Sequence, residues 1–220
     1  MEINNNEPVE KKELDEDWPN LKYYREKNLD LISKNQNNKI VFMGDSITEG
    51  WTQMNPLFLL NKNYINRGIS GQTTPQMLIR FKPDVIDLNP NAVIILAGTN
   101  DIAGNTGPSS IKMITDNIFS MSDLALKNNI KVAISSILPV FKYPWNENII
   151  DPFKTIITIN DILKKYALNN NLFYIDYYSS LVDSRPGLKS KYTTDEVHLN
   201  KEGYMVISKI VKNFIFQNLN

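Results

Sequence analysis

Five residues of this chain are of the types that together perform nucleophilic acyl transfer: Ser46, Gly71, Asn100, Asp195 and His198. A serine hydroxyl is a weak nucleophile until a neighbouring base takes its proton, and an imidazole held by a carboxylate suits that task. His198 is the single histidine among 220 residues, so any imidazole base has to be this one, and multi-histidine metal sites are excluded. Asp195 stands three positions before it, within reach of the ring through one turn of chain. Asp176 is a rival acid that would need tertiary folding to meet the histidine. The chain has no cysteine, which removes thiol nucleophiles, disulfide scaffolds, iron–sulfur clusters and thiolate zinc sites.

The surroundings of these residues are polar and rich in glycine. Ser46 lies in Gly44-Asp45-Ser46-Ile47-Thr48-Glu49-Gly50, where a glycine permits a tight turn and a helix is expected to follow, an arrangement that presents hydroxyl and N–H to a cleft. Helix capping by Asp45 or Ser46 is the other reading of the same segment. A nucleophile elbow would need glycine at position 48, and a phosphate loop would need Gly-Lys-Ser/Thr after Gly50; neither is present. Gly71 follows Asn66-Arg67-Gly68-Ile69-Ser70, and Asn100 sits in Gly98-Thr99-Asn100-Asp101. The N–H groups of Ser46 and Gly71 and the Asn100 amide can form a three-donor oxyanion hole, although Gly and Asn are also common turn residues. Asp101 is expected to order the turn around Asn100. Asp45, beside the serine, and Trp145, in the aromatic segment 141–153, are the candidate substrate contacts. That segment either walls a pocket or covers the core, and Trp51 faces the same choice, leaning to the core.

Ser46, Gly71 and Asn100 follow short apolar runs, whereas Asp195 and His198 stand just ahead of the last expected helix. Lys39–Met43, Asn63–Asn66, Ala92–Ala97, Lys131–Ile137 and Leu172–Asp176 are continuously rather than alternately apolar, as strands buried on both faces are. Between them, helical periodicity covers roughly 21–35, 51–61, 73–82, 108–128, 152–169 and 201–217. Strand and helix in alternation predict an α/β sandwich with right-handed crossovers, whose ligands bind outside the carboxyl ends of the strands.

Lys plus Arg and Asp plus Glu number 24 each, so nothing favours nucleic acid or another polyanion as partner. No apolar run is long enough for a membrane-spanning helix. Residues 1–17 carry seven acids against two lysines, lack an apolar signal region and read as a flexible acidic tail. A single domain over 18–220 and cytoplasmic residence are the expectations, with the oligomeric state open and a homo-oligomer compatible.

Ser in Gly44-Asp45-Ser46, Gly71, Asn in Gly98-Thr99-Asn100-Asp101 and the Asp195 to His198 pair occur in the order that marks the SGNH hydrolases of the GDSL esterase/lipase family, which this chain resembles from residue 44 to 204. Within that family the chain looks most like bacterial acylhydrolases likened to platelet-activating-factor acetylhydrolase subunits. Ile47 and Leu199 stand where the family's blocks commonly carry leucine and proline; both remain apolar. The resemblance implies a flavodoxin-like three-layer αβα sandwich around a five-stranded parallel sheet. It implies an acylhydrolase with Ser46, His198 and Asp195 as triad and Ser46, Gly71 and Asn100 around the oxyanion, acting on a small acyl ester without metal or organic cofactor. A short acyl group such as acetyl is expected. Lysophospholipid or thioester cleavage is the alternative, and a binding module that has lost turnover is a third.

Overall fold

The structure is a computed structural model that describes residues 17–219. All but Asp17 of the expected acidic tail lies outside the described residues.

Five parallel strands form the sheet: β1 (Ile40–Gly44), β2 (Tyr64–Gly68), β3 (Ala92–Leu96), β4 (Lys131–Ser135) and β5 (Phe173–Ile175). Their order is β2-β1-β3-β4-β5. The chain steps from β1 to β2 on one side, then crosses back to β3 on the other, so the order reverses at β1 and leaves a crevice at the carboxyl ends of β1 and β3. Register sharpens this placement, because Gly44 is level with both Gly68 and Leu96. The loops bearing Ser46, Gly71 and Asn100 therefore leave the sheet along one edge.

Side chains alternate across each strand, so a run such as Ile40-Val41-Phe42-Met43 feeds two cores at once. Val41, Met43, Val93, Ile95, Val132 and Ile134 face α4 (Thr74–Asp84), α6 (Ile111–Lys127) and α7 (Pro152–Asn169). Ile40, Phe42, Ile94 and Ala133 face α2 (Ser46–Glu49), α3 (Trp51–Met54) and α9 (Lys201–Asn218). Trp51 is 1% exposed and its indole N–H donates to Ser208 at 2.8 Å, so it belongs to the core. Short α5 (Thr99–Ile102) and α8 (Tyr178–Leu181) follow β3 and β5, and α1 (Arg25–Ser33) precedes β1.

The single helix expected over 51–61 is broken. α3 ends at Met54 and a 3-10 turn runs from Pro56 to Leu60. Pro56 disfavours helical backbone in the residue before it, and Asn55 is accordingly non-helical at φ −145°, ψ 66°.

One close approach fixes the depth of the Ser46 turn. A Cβ on Gly68 would lie 2.1 Å from the Glu49 nitrogen and 2.7 Å from the Asp45 oxygen, both backbone atoms that cannot rotate away. Gly68→Ala is expected to lower stability by about 1–3 kcal/mol, as overpacking against rigid neighbours does. A urea midpoint equal to that of the parent would contradict this packing.

Candidate active site

Ser46 is the first residue of α2, immediately after β1, and the cap of this helix is Asp45, whose Oδ1 accepts the Ile47 N–H at 2.9 Å. The sequence reading of Asp45 as a substrate contact therefore needs correction: its side chain is 1% exposed and satisfies the helix end from below. The capping alternative describes it. Burial raises the Asp45 carboxyl to about 7, with the nearby Asp101 adding to the rise and the Ile47 N–H and His198 opposing it.

His198 arrives from the other end of the chain. Its Nε2 is 3.1 Å from Ser46 Oγ and its Nδ1 is 2.6 Å from Asp195 Oδ2. The hairpin-like turn between them is self-organised: Asp195 Oδ1 accepts the N–H groups of Val197 (3.0 Å) and His198 (2.7 Å), and the Thr193 hydroxyl donates to the His198 carbonyl at 2.7 Å. Glu196 takes left-handed backbone, φ 69°, to close it. Partial burial pushes the Asp195 carboxyl up, but the backbone and ring donors of His198 and the Val197 N–H outweigh this and hold it below the usual carboxylate range. It is thus an anion at neutral pH, able to fix the ring tautomer and balance an imidazolium. Asp176, the rival acid, instead accepts from the Ser179 N–H and hydroxyl at the start of α8.

The two remaining blocks lie across the crevice. Gly71 has φ +77°, the region open to glycine, and Asn100 Nδ2 donates one hydrogen to the Gln72 carbonyl at 3.0 Å. Among the described residues, the Ser46 and Gly71 N–H groups have no acceptor within the protein, and the second Asn100 hydrogen has none either. Free backbone N–H groups and an uncharged amide are the kinds of donor that a developing oxyanion requires. Asp101 turns away from them: it accepts the Thr74 N–H and hydroxyl, the latter at 2.6 Å, tying α5 to the start of α4. Burial raises its carboxyl above the ordinary value.

Sequence reasoning passed over three residues that build this site. Arg80, fully buried on α4, donates to the Gly44 and Arg67 carbonyls (2.9 Å each), to Gln72 Oε1 (2.5 Å) and to Asp84 (2.9 Å). Asn105 donates to both Gly71 and Asn100. Glu49 accepts from the Ser70 N–H at 3.0 Å and from the Ser70 and Tyr23 hydroxyls, bracing the loop that carries Gly71. Only the glycines flanking Asn105 in Gly104-Asn105-Thr106-Gly107 offered a signal in the sequence.

A recess of about 230 Å³ adjoins Ser46, lined by Glu49, Gln53, Met54, Ser70, His198 and Tyr204 among others. Trp145 stands on the other flank, half exposed, with its ring centroid 6.1 Å from that of His198 and tilted 31°. Its loop is anchored: the Tyr143 hydroxyl donates to the Thr99 carbonyl at 2.9 Å, and Asn146 Nδ2 to the Ala103 carbonyl at 2.8 Å, both in the segment around Asn100.

Comparison with known proteins gives the family and the fold. Residues 42–206 match the GDSL-like Lipase/Acylhydrolase family, and the chain belongs to it. The fold is shared with a Bacteroides fragilis protein assigned as an acylhydrolase (42% identity, TM-score 0.88, covering 92% of this chain and 99% of that one). A GDSL-like lipase of Bacteroides thetaiotaomicron is similar too (40% identity, TM-score 0.86, 90% and 98% covered). An uncharacterized lipoprotein of Bacillus subtilis, YqeF, is 32% identical over 85 residues; the match spans 37% of this chain and 35% of that protein.

The raised Asp45 carboxyl carries a pH dependence. Its folded value, about 7, lies above the ordinary 3.8, so the native state holds this proton more tightly than the unfolded chain and loses stability as pH rises between those values. Asn at this position keeps the acceptor and removes the charge. Asp45→Asn is expected to gain stability over the parent at about pH 8 more than at about pH 5, read from urea midpoints. An equal difference at both pH values would contradict the assigned burial of this charge.

Proposed function

As a member of the GDSL-like lipase/acylhydrolase family, the protein, we propose, is a serine esterase that cleaves short-chain acyl esters, with acetyl the favoured group. The observation that carries this reading is the continuous chain of contacts from Asp195 Oδ2 to His198 Nδ1 (2.6 Å) and from His198 Nε2 to Ser46 Oγ (3.1 Å). Ser46 Oγ attacks the ester carbonyl carbon while His198 Nε2 takes its proton. The C–Oγ bond forms, and the carbonyl oxygen becomes an oxyanion facing the N–H groups of Ser46 and Gly71 and the Asn100 amide. Collapse breaks the bond to the alcohol, which leaves with the proton from His198. Water then enters, gives its proton to His198 and attacks the acyl group; Ser46 departs with that proton and the carboxylic acid is released. Each oxyanion donor is worth on the order of 3 kcal/mol in such a step. Asp195, an anion throughout, orients the ring.

The size of the recess beside Ser46 supports a short acyl group, and Trp145 would form the opposite wall for whichever part of the ester lies over His198. The carboxylate of Glu49 in its lining supports a neutral ester over one carrying an anionic head.

A panel of acetyl, butyryl and octanoyl p-nitrophenyl esters tests both parts. Ser46→Ala is expected to remove about 10³-fold or more of the acetyl ester turnover. Trp145→Ala is expected to shift the chain-length preference. Unchanged acetyl ester hydrolysis by Ser46→Ala would overturn the proposed mechanism, and an octanoyl preference in the parent would overturn the acyl-size reading.

A further inference from the structure

Asn105 lies outside every contact of the triad, on the turn that follows α5, and it is exposed. Both hydrogens of its side-chain amide are nevertheless committed: Nδ2 donates to the Gly71 carbonyl and to Asn100 Oδ1, at 3.1 Å each. Its own backbone N–H returns to the Asn100 carbonyl at 3.0 Å, so the residue cannot drift from α5. Next to it the Thr106 hydroxyl pairs with that of Thr73 at 3.0 Å, closing the turn onto the loop that carries Gly71.

This clasp bears on two of the proposed oxyanion donors in different ways. The outline of an asparagine amide is nearly the same whichever way round it sits, but only the nitrogen end can donate. Asn100 Oδ1 accepting from Asn105, with Asn100 Nδ2 donating to the Gln72 carbonyl, fixes the nitrogen end towards the crevice. Gly71 sits at φ +77°; its carbonyl is held by Asn105 and the Ser70 N–H before it by Glu49, so the peptide plane that bears the Gly71 N–H is bounded on both sides. Misplacement of such groups by an ångström is enough to cost about 10²-fold in rate, because a donor stabilises the oxyanion only where the charge develops.

We infer that Asn105 is a positioning residue for this acylhydrolase, setting the amide orientation of Asn100 and the N–H direction of Gly71 through one two-pronged hydrogen bond. The inference rests on the reading of these donors as the oxyanion hole.

Asn105→Asp tests it with an isosteric change that puts an acceptor in front of two acceptors, and Asn105→Ala removes the clasp. Both should fold, since the side chain is exposed. For p-nitrophenyl acetate, kcat is expected to fall about tenfold or more while KM stays within about twofold and the melting temperature is nearly constant. In an Asn100→Ala background, Asn105→Ala should cost no more than about threefold, because part of what it positions is gone. A readout independent of turnover is the amide spectrum: the Asn100 side-chain NH₂ and Gly71 N–H resonances should shift or broaden in ¹⁵N-labelled Asn105→Asp. Unchanged kcat, equal losses in both backgrounds, a loss matched by unfolding, or unmoved resonances would each overturn the inference. If the parent hydrolysed no ester, the proposed function would fail, and the resonances alone would decide whether Asn105 holds these donors.

Discussion

A guanidinium with no access to water governs how the reactive edge is assembled. Burying a cation costs several kcal/mol unless its donors are met, and Arg80 makes four hydrogen bonds, to the carbonyl that ends β1, the Arg67 carbonyl of β2, the side chain of Gln72 and the carboxylate of Asp84. Those partners are what the site is made from: Gly44 precedes the Ser46 turn, Arg67 precedes the Gly71 loop, and Gln72 is the residue whose carbonyl holds Asn100. Removing the Asp84 carboxylate would strand a buried charge, a loss of about 3–5 kcal/mol. The network continues outward, since Asn28 donates to Asp84 and receives two bonds from Arg67, whose guanidinium also stacks on the Tyr24 ring at 4.5 Å. Burial lowers the Arg67 guanidinium to about 10, which still leaves it charged at neutral pH.

Upon that base the proposed chemistry is divided between donors held by the sheet and a locally folded turn. The donors near Ser46, Gly71 and Asn100 hang from the sheet and from α4 and α5, where the Asp101 bonds to Thr74 and the Asn105 clasp remove their freedom. The proposed acid–base half, Asp195 to His198, is a short turn organised by its own carboxylate and by Thr193, anchored by Val197 and Leu199 in the two cores and touching Ser46 and Trp145 through His198. Donors that gain from preorganisation are better carried on the sheet.

Much of this could be read from the amino-acid sequence, for definite reasons. The strands are buried on both faces, so their runs are uninterruptedly apolar, and all five were recognisable within about two residues of their bounds. The Ser, Gly and Asn blocks of the SGNH pattern were recognisable because each follows such a run, and the Asp-His block because it holds the single histidine just ahead of the last helix. What stayed hidden depends on partners distant in sequence. Arg80 and Asp84 are four apart on a helix, a spacing that reads as a solvated surface pair; only the packing of α4 against the strand ends reveals it as buried. Asp45 read as a substrate contact because its neighbour is the candidate nucleophile, yet the helix beginning at Ser46 claims its carboxylate. Asn105 lies in Gly104-Asn105-Thr106-Gly107, whose composition names no partner, and its bond to Gly71, some thirty positions earlier, is visible only in the fold. The break at Pro56 was legible in principle and was outweighed by the apolar period on either side.

The central claim is that Ser46 is the nucleophile made reactive by His198 and served by the donors across the crevice. Diethyl p-nitrophenyl phosphate, which transfers its phosphoryl group to an activated serine and releases p-nitrophenol, tests this most directly. The account predicts one diethylphosphoryl group per chain, located on Ser46 by peptide mass mapping, with esterase activity lost in proportion to labelling. Activity lost with the label elsewhere, or retained with Ser46 fully labelled, would contradict it.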